Sequence, residues 1–212
     1  MDSGKLKPSV SSLPCNRLPK ILLAVFAAIW VVTAIKPKYP QDWLLENLLV
    51  FAAVPALVFT WRKFRFSNLS YCLITLFLLL HAIGAHYTYS EVPLGDWLRD
   101  HWQLSRNHYD RVVHFSFGLL MGLPLWEILV RVAGFTGGWA RVITINTVIA
   151  ASALYEMLEA IIAHLVSPEL GAAYNGTQGD IWDAQKDAAL ATLGVLICTL
   201  ISAFRQKPRP QK

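Results

Sequence analysis

Six long apolar stretches constrain the fold of this chain more than any other feature. A helix needs about 20 mostly apolar residues to cross the hydrocarbon core of a membrane. The stretches cover residues 21–35, 43–61, 69–89, 112–130, 142–166 and 182–204. Only 16% of the 212 residues are charged, whereas a soluble domain usually carries about 25%. The sequence therefore predicts an all-α polytopic bundle of about six transmembrane helices.

The basic residues predict how this bundle is oriented. Cytoplasmic loops of membrane proteins carry an excess of Lys and Arg. The N-terminus, the second and fourth loops and the C-terminal tail hold 13 of these residues, and the other three loops hold 6. We therefore predict that both termini are cytoplasmic. The basic residues lie at the ends of apolar stretches rather than on one amphipathic element, so the net charge of +5 does not indicate a nucleic-acid partner.

The first apolar stretch is the shortest and has two interpretations. Lys20 and Lys36 can extend it by snorkelling to the headgroups. Its basic start and the residues Val32-Thr33-Ala34 also resemble a cleavable signal peptide, and either interpretation leaves the later topology unchanged. We expect a disordered cytoplasmic segment at residues 1–17, a transmembrane domain at 18–205 and a basic cytoplasmic tail at 206–212.

Acidic residues and histidines interrupt the apolar stretches at one level. Such residues are costly in hydrocarbon and are functional candidates by default. At about 1.5 Å per residue, most lie about 18–27 Å above the cytoplasmic end of their helix, in the outer half of a core about 30 Å thick. The candidate metal ligands are His81, His86, Asp110, His114, Glu156, Asp180 and Asp187, and the candidate catalytic residues are Glu159 and Asp183.

Spacing within the helices favours convergence of these side chains. Asp110 and His114 are four residues apart and share a helix face, and so do Asp183 and Asp187. The two histidines of the third stretch are five residues apart, so they point about 140° apart on a helix. We therefore expect only one of them to bind the same ion as the other candidates.

The chemistry of these side chains is open to two interpretations. Carboxylates mixed with imidazoles suit a divalent ion such as Zn, Mn or Fe, with Mg or Ca if oxygen ligands dominate. Alternatively, the acids pair with Arg106 and Arg111 and hold the helices together. The acids outnumber the nearby basic residues, so pairing alone leaves some of them without a counter-charge.

The third loop, residues 91–109, has the pattern of a short amphipathic helix. Leu94, Trp97 and Trp102 recur at helical spacing, with charged residues between them. This pattern predicts a helix at the outer interface, with its tryptophans at the level of the headgroups. It is either a connecting segment or a lid or lipid entry ramp over the polar site.

Four strings at these positions resemble one family, the YjdF-type inner-membrane proteins of bacteria. They are HAIGAHYTYSEVP from His81, RNHYDRVVHF from Arg106, YEMLEA from Tyr155 and GTQGDIWDAQKD from Gly176. The resemblance extends over roughly residues 18–204 and implies a multi-pass inner-membrane protein, but no activity. A weaker similarity to VanZ-like membrane proteins rests on Asp110, His114, Glu156, Gln178 and Asp187, and a shared fold supplies no function.

Three functions fit these observations. The first is a metal-dependent hydrolase or transferase that acts on a lipid-linked substrate reached sideways from the membrane, with a cation polarising a phosphoryl or acyl oxygen and Glu159 as base. The second is a proton- or ion-coupled transporter or ion-binding protein, which needs polar groups in both halves of the membrane. The third is a structural membrane scaffold.

Overall fold

The computed structural model describes residues 17–205, and within this range the chain forms nine α-helices and one 3-10 turn. The helices are α1 (Arg17–Thr33), α2 (Pro40–Glu46), α3 (Leu48–Thr60), α4 (Asn68–Tyr87), α5 (Pro93–Trp102), α6 (Tyr109–Arg131), α7 (Gly137–Leu165), α8 (Pro168–Asn175) and α9 (Asp183–Arg205). The predicted all-α class is confirmed. Apart from Arg17, the predicted disordered segment and basic tail lie outside the described residues.

Five membrane-spanning candidates stand out by length and apolar composition within the described range. One consists of α2 and α3 together, and the others are α4, α6, α7 and α9. Helix α1 has 17 residues and is therefore about 26 Å long, which is slightly less than the hydrocarbon thickness. Since the predicted orientation requires α1 to cross as well, the count of six and the location of both termini stay predictions.

The second span is broken at Asn47, between α2 and α3. The Asn47 side chain accepts a hydrogen bond from Trp30 Nε1 at 2.5 Å and donates one to the Trp43 carbonyl at 2.7 Å. A break in a membrane helix is tolerated where nearby groups satisfy the freed backbone atoms. The break leaves Glu46 fully buried at the end of α2, near the outer end of the bundle.

The closest helix contact, between α6 and α9, depends on glycine. A Cβ atom on Gly118 would collide with the carbonyl oxygen of Ala191, and one on Gly194 would collide with that of Phe115. Small residues allow membrane helices to approach this closely. The contact fixes the relative positions of the outer ends of α6 and α9, where Asp110 and Asp183 lie.

At the opposite, predicted cytoplasmic end, the carboxylate of the buried Glu127 is well hydrogen-bonded. Its carboxylate accepts hydrogen bonds from the Ser67 backbone at 2.9 Å, the Ser70 hydroxyl at 2.7 Å and Arg131 Nη1 at 3.2 Å. The intrahelical pair with Arg131 is what the spacing of four residues predicts. Glu127 therefore ties α4 to α6.

The predicted helix in the third loop is present as α5, with Leu94, Trp97 and Trp102 exposed. Its inner side packs against Asn107, whose amide donates to the Val92 carbonyl at 3.0 Å. Gln178 makes two reciprocal hydrogen bonds of 2.9 Å with the Asn107 backbone. The start of α6 is thereby attached both to α5 and to the loop before α9.

Candidate functional site

Two groups of three side chains meet at the outer end of the bundle. In each group, the potential ligand atoms lie within 4.8 Å of one another. The carboxylate group consists of Asp110, Asp183 and Asp187, and the mixed group consists of His114, Glu156 and Glu159. These two groups contain six of the nine predicted site residues. A seventh, Asp180, borders them.

His114 joins the two groups. Its Nε2 atom is 3.5 Å from Asp110 Oδ1 and 3.3 Å from Glu156 Oε1. Two buried oxygens, Glu156 Oε1 and Asp187 Oδ1, nevertheless have no hydrogen-bond donor with acceptable geometry. Buried acceptors without donors are uncommon and indicate a proton, water or ion at that place.

Two arginines clamp the start of α9. Arg106, only 4% exposed, forms an ion pair with both oxygens of Asp183 and donates to the carbonyls of Thr177 and Gly176 at 3.0 and 3.2 Å. Arg111 Nη2 lies 3.3 Å from Asp183 Oδ1. The guanidinium groups thus orient Asp183 and the loop that precedes it.

Asp180 lies just outside the two groups. Arg111 Nη2 donates to its carboxylate at 2.5 Å and Lys186 Nζ at 2.6 Å. The hydrogen bond from Lys186, followed by that from the Trp182 backbone, lowers the pKa of Asp180 to about 2. Asp180 is therefore a charged partner of basic residues at the edge of the site.

The two groups carry more acid than their basic neighbours can neutralise. Five carboxyl groups face two guanidinium groups, since Lys186 is engaged with Asp180. Buried like charges are costly unless they are paired or protonated. Bound protons or a cation must therefore supply the remaining positive charge.

His81 belongs to a second network, on the α2 side of the site. Its Nε2 lies 3.0 Å from the Glu46 carbonyl oxygen, so Nε2 carries the proton and Nδ1 accepts a hydrogen bond from the Tyr89 hydroxyl. The Tyr155 hydroxyl donates to Glu46 Oε2 at 2.8 Å. Both ring nitrogens of His81 are engaged in this arrangement.

The other histidine of α4 lies away from both groups. His86 Nδ1 donates to the Thr33 carbonyl at 2.7 Å, and its ring packs edge-on against Tyr87. The structure therefore does not bring His86 to the acids of α6, α7 and α9. The expectation that one of these two histidines binds the same ion as the other candidates stays a prediction.

Gly84 makes room for the tyrosine of the second network. A Cβ atom there would lie 2.7 Å from the Tyr89 ring. Burial raises the pKa of Tyr89 well above its ordinary value, so its hydroxyl stays protonated and can donate to His81.

A cavity of about 490 Å³ extends from this site into the bundle, between α3, α4, α6 and α7. His81, Tyr89, Asp110, His114 and Tyr155 line its polar end. Below them the lining is mainly aliphatic and aromatic, down to Thr60, Phe66 and Ile128. Through Asp110 and His114, the site borders the polar end of an apolar space.

Comparison with known proteins places these features in a family. Residues 18–208 match the family described as "Predicted membrane protein (DUF2238)". The chain belongs to this family. It is also 36% identical over 176 residues to the inner membrane protein YjdF of Escherichia coli (strain K12), which covers 82% of this chain and 84% of that protein. No solved structure matches the chain.

Membership of the DUF2238 family agrees with the resemblance carried by the four strings and with the apolar helices. The protein is a multi-pass inner-membrane protein. Membership of this family supplies no activity.

Sequence reasoning missed several members of the site in this DUF2238 protein. Glu46 follows Asp42 by four residues within an apolar stretch, and the rule that identified the other intramembrane acids would have found it. Tyr89 and Tyr155 had no such signal, because a tyrosine near a membrane interface is ordinary. Their roles depend on contacts between α2, α4 and α7 that spacing along one helix does not predict.

Proposed function

We propose that the protein is a metal-dependent membrane hydrolase or transferase that acts on a lipid-linked substrate. The observation that carries this proposal is that Asp110 and His114, one from each group of potential ligands, line the polar end of an apolar cavity. Ligand sites are usually concave, mostly apolar and provided with a few convergent polar groups. A lipid-linked molecule has matching halves, a polar head and a hydrocarbon chain.

The two groups suit different divalent ions. His114 with Glu156 offers one nitrogen and a carboxylate, a set that suits Zn, Mn or Fe and leaves Glu159 of the same group outside the ligands. Asp110, Asp183 and Asp187 offer only oxygens, a set that suits Mg or Ca. The oxygens of Glu156 and Asp187 that lack donors support one cation position in each group.

Each remaining side chain has a proposed role. A divalent ion at the site would polarise a phosphoryl or acyl oxygen of the head group. Glu159, buried on α7, is the proposed base that takes a proton from the attacking water or hydroxyl group. Asp183 is held by two guanidinium groups, so it positions positive charge beside the head group as well as acting as a ligand.

The ion-coupled transporter fits the cavity less well. A relay needs titratable groups in both halves of the membrane. Below His114 the described cavity lining is apolar except for Ser152 and Thr60, and the buried Glu127 near the other end already accepts three hydrogen bonds. These observations favour chemistry at one membrane surface.

Metal content and metal-dependent stability test the proposal. We expect purified protein to contain a divalent metal and its melting temperature in detergent to fall on addition of EDTA. An ion present at about 100 times its Kd stabilises a protein by about 2.7 kcal/mol. For a chain of this size that is a shift of roughly 5–11 °C, at about 2–4 °C per kcal/mol.

Asp187→Asn is the decisive variant, because Asp187 is 1% exposed and one of its oxygens lacks a donor. We expect it to remain folded, to lose the metal bound at the carboxylate group and to show a smaller fall in melting temperature on addition of EDTA than the wild type does. Asp100→Asn, an exposed position on α5, is the matched control and should behave as the wild type does. The proposal fails if the wild type shows no effect of EDTA and Asp187→Asn melts no lower than the wild type.

A further inference from the structure

We infer that the cavity holds a single hydrocarbon chain, with its tail pointing from His114 toward the predicted cytoplasmic end. The chain belongs to the lipid whose polar head lies at the acids. This inference deepens the proposed function by assigning the place and direction of the substrate's chain.

The shape of the cavity fits one extended chain. Asp110 and Ile128 line its two ends on α6 and are 18 residues apart, which corresponds to about 27 Å along the helix. A sphere of about 490 Å³ would be only about 10 Å across, so the space extends much further along α6 than a compact ligand needs. Its volume is roughly three times that of an apolar cavity that takes one benzene molecule, about 150 Å³.

The cavity is accessible from lipid. Ala56, Thr60 and Ile128 line it and are also exposed. Helix α3 is not among the close packing partners of α6 or α7, so the space between these helices opens sideways. In a membrane, the exposed sides of the bundle face hydrocarbon, and the molecules available at such an opening are lipid chains.

The chemistry of the lining excludes water as the main occupant. Apolar cavities stay dry and take apolar ligands, because a bound water needs two to four polar partners. Over most of its length the lining offers residues such as Phe77, Val113, Phe117, Met121 and Leu125. Hydrogen-bonding groups for a head are concentrated at the end formed by His114, Asp110 and Tyr155.

Small residues in the wall make the chain site testable. Ala151 of α7 lines the cavity, whereas the nearby Ala153 is exposed and does not. On α3, Ala56 lines the cavity at its lipid-facing opening, whereas Ala52, one turn earlier, is exposed and does not line the cavity. A phenylalanine at Ala151 or Ala56 would project into the space of the chain, and one at Ala153 or Ala52 would project into lipid.

Photolabelling measures where a chain lies. The full-length protein is reconstituted in dioleoylphosphatidylcholine vesicles with a palmitate analogue that carries a diazirine either at the chain terminus or next to the carboxylate. We expect the terminal diazirine to label Met121 and Leu125, and the other to label Val113 or Tyr155. Ala151→Phe and Ala56→Phe should abolish these labels, and Ala153→Phe and Ala52→Phe should retain them.

Labelling confined to outward-facing residues such as Leu154 and Leu158, and equal in all four variants, would overturn the inference. Metal analysis on the same preparations separates it from the proposed function. Labelling inside the cavity without bound metal leaves the chain site standing while the enzyme proposal falls. Bound metal with labelling only on outward faces overturns the chain site and leaves the enzyme proposal standing.

Discussion

Replacing Arg106 by methionine removes the positive charge that lies closest to Asp183. Arg106 is buried and forms an ion pair with both oxygens of Asp183. It also donates to two carbonyl oxygens in the loop before α9, those of Gly176 and Thr177. Methionine keeps much of the volume of the side chain but supplies neither the charge nor the donors.

The free-energy cost of this substitution comes from the groups that lose Arg106 as a partner. A buried charge whose partner is removed costs about 3–5 kcal/mol, and each buried acceptor that loses its donor costs about 1–3 kcal/mol. Arg111 still lies 3.3 Å from Asp183, so the lower end of the sum applies, about 5 kcal/mol. Because whole domains are stable by only about 5–15 kcal/mol, we expect loss of the folded state or a melting temperature lower by roughly 10–20 °C.

A second substitution should recover part of this loss. Asp183→Asn in the Arg106→Met background removes the charge that the first change left unpaired, close to Asp110 and Asp187. Thermal unfolding in detergent with EDTA, followed by tryptophan fluorescence, compares the wild type, both single variants and the double variant. The double variant should melt above Arg106→Met. The reasoning is refuted if Arg106→Met melts within about 3 °C of the wild type, less than 2 kcal/mol, or if the double variant melts lowest.

Two further predictions concern the edge of the site and the topology. Because the pKa of Asp180 is lowered to about 2 from its ordinary value of 3.8, its pairing contributes stability that is fully present above about pH 4 and is lost as the pH falls toward 2. The melting temperature of Asp180→Asn should therefore lie below that of the wild type at pH 6, and the gap between them should shrink below about pH 4. A gap that grows on acidification contradicts this assignment. A fluorescent reporter fused after Lys212 should light in the cytoplasm, and high activity of alkaline phosphatase fused there would contradict the six-span topology.

The sequence was sufficient for the class of fold, because a helix that crosses lipid must carry a long apolar stretch whatever its neighbours are. It also singled out His114, Asp183 and Asp187 as candidates, since ionisable residues inside such stretches are conspicuous, and Asp110 because it shares a helix face with His114. The break at Asn47 could not be predicted, because an asparagine within an apolar stretch is equally compatible with a continuous helix. It is stabilised by Trp30, which comes from another helix.

The partners of the predicted residues were harder to predict than the residues themselves. Depth estimates placed His81 and His114 at similar levels, but levels do not specify which way a ring points. In the structure His81 is directed to Glu46 and Tyr89, and His114 to Asp110 and Glu156. The direction depends on how α4 packs against α2 and α6, which is a property of several helices together.

The glycine contact between α6 and α9 has a consequence for the biogenesis of the protein. Helices α7 and α8 lie between them in the chain, so α6 enters the membrane before its partner has been synthesised. Until α9 arrives, Gly118 is not covered by Ala191, and Arg106 and Arg111 lack the acidic partner Asp183. Association of α9 buries the glycines and brings the opposite charges together in one step. Packing of the two helices is thus completed only after α9 has been inserted, and the polar site forms at that step.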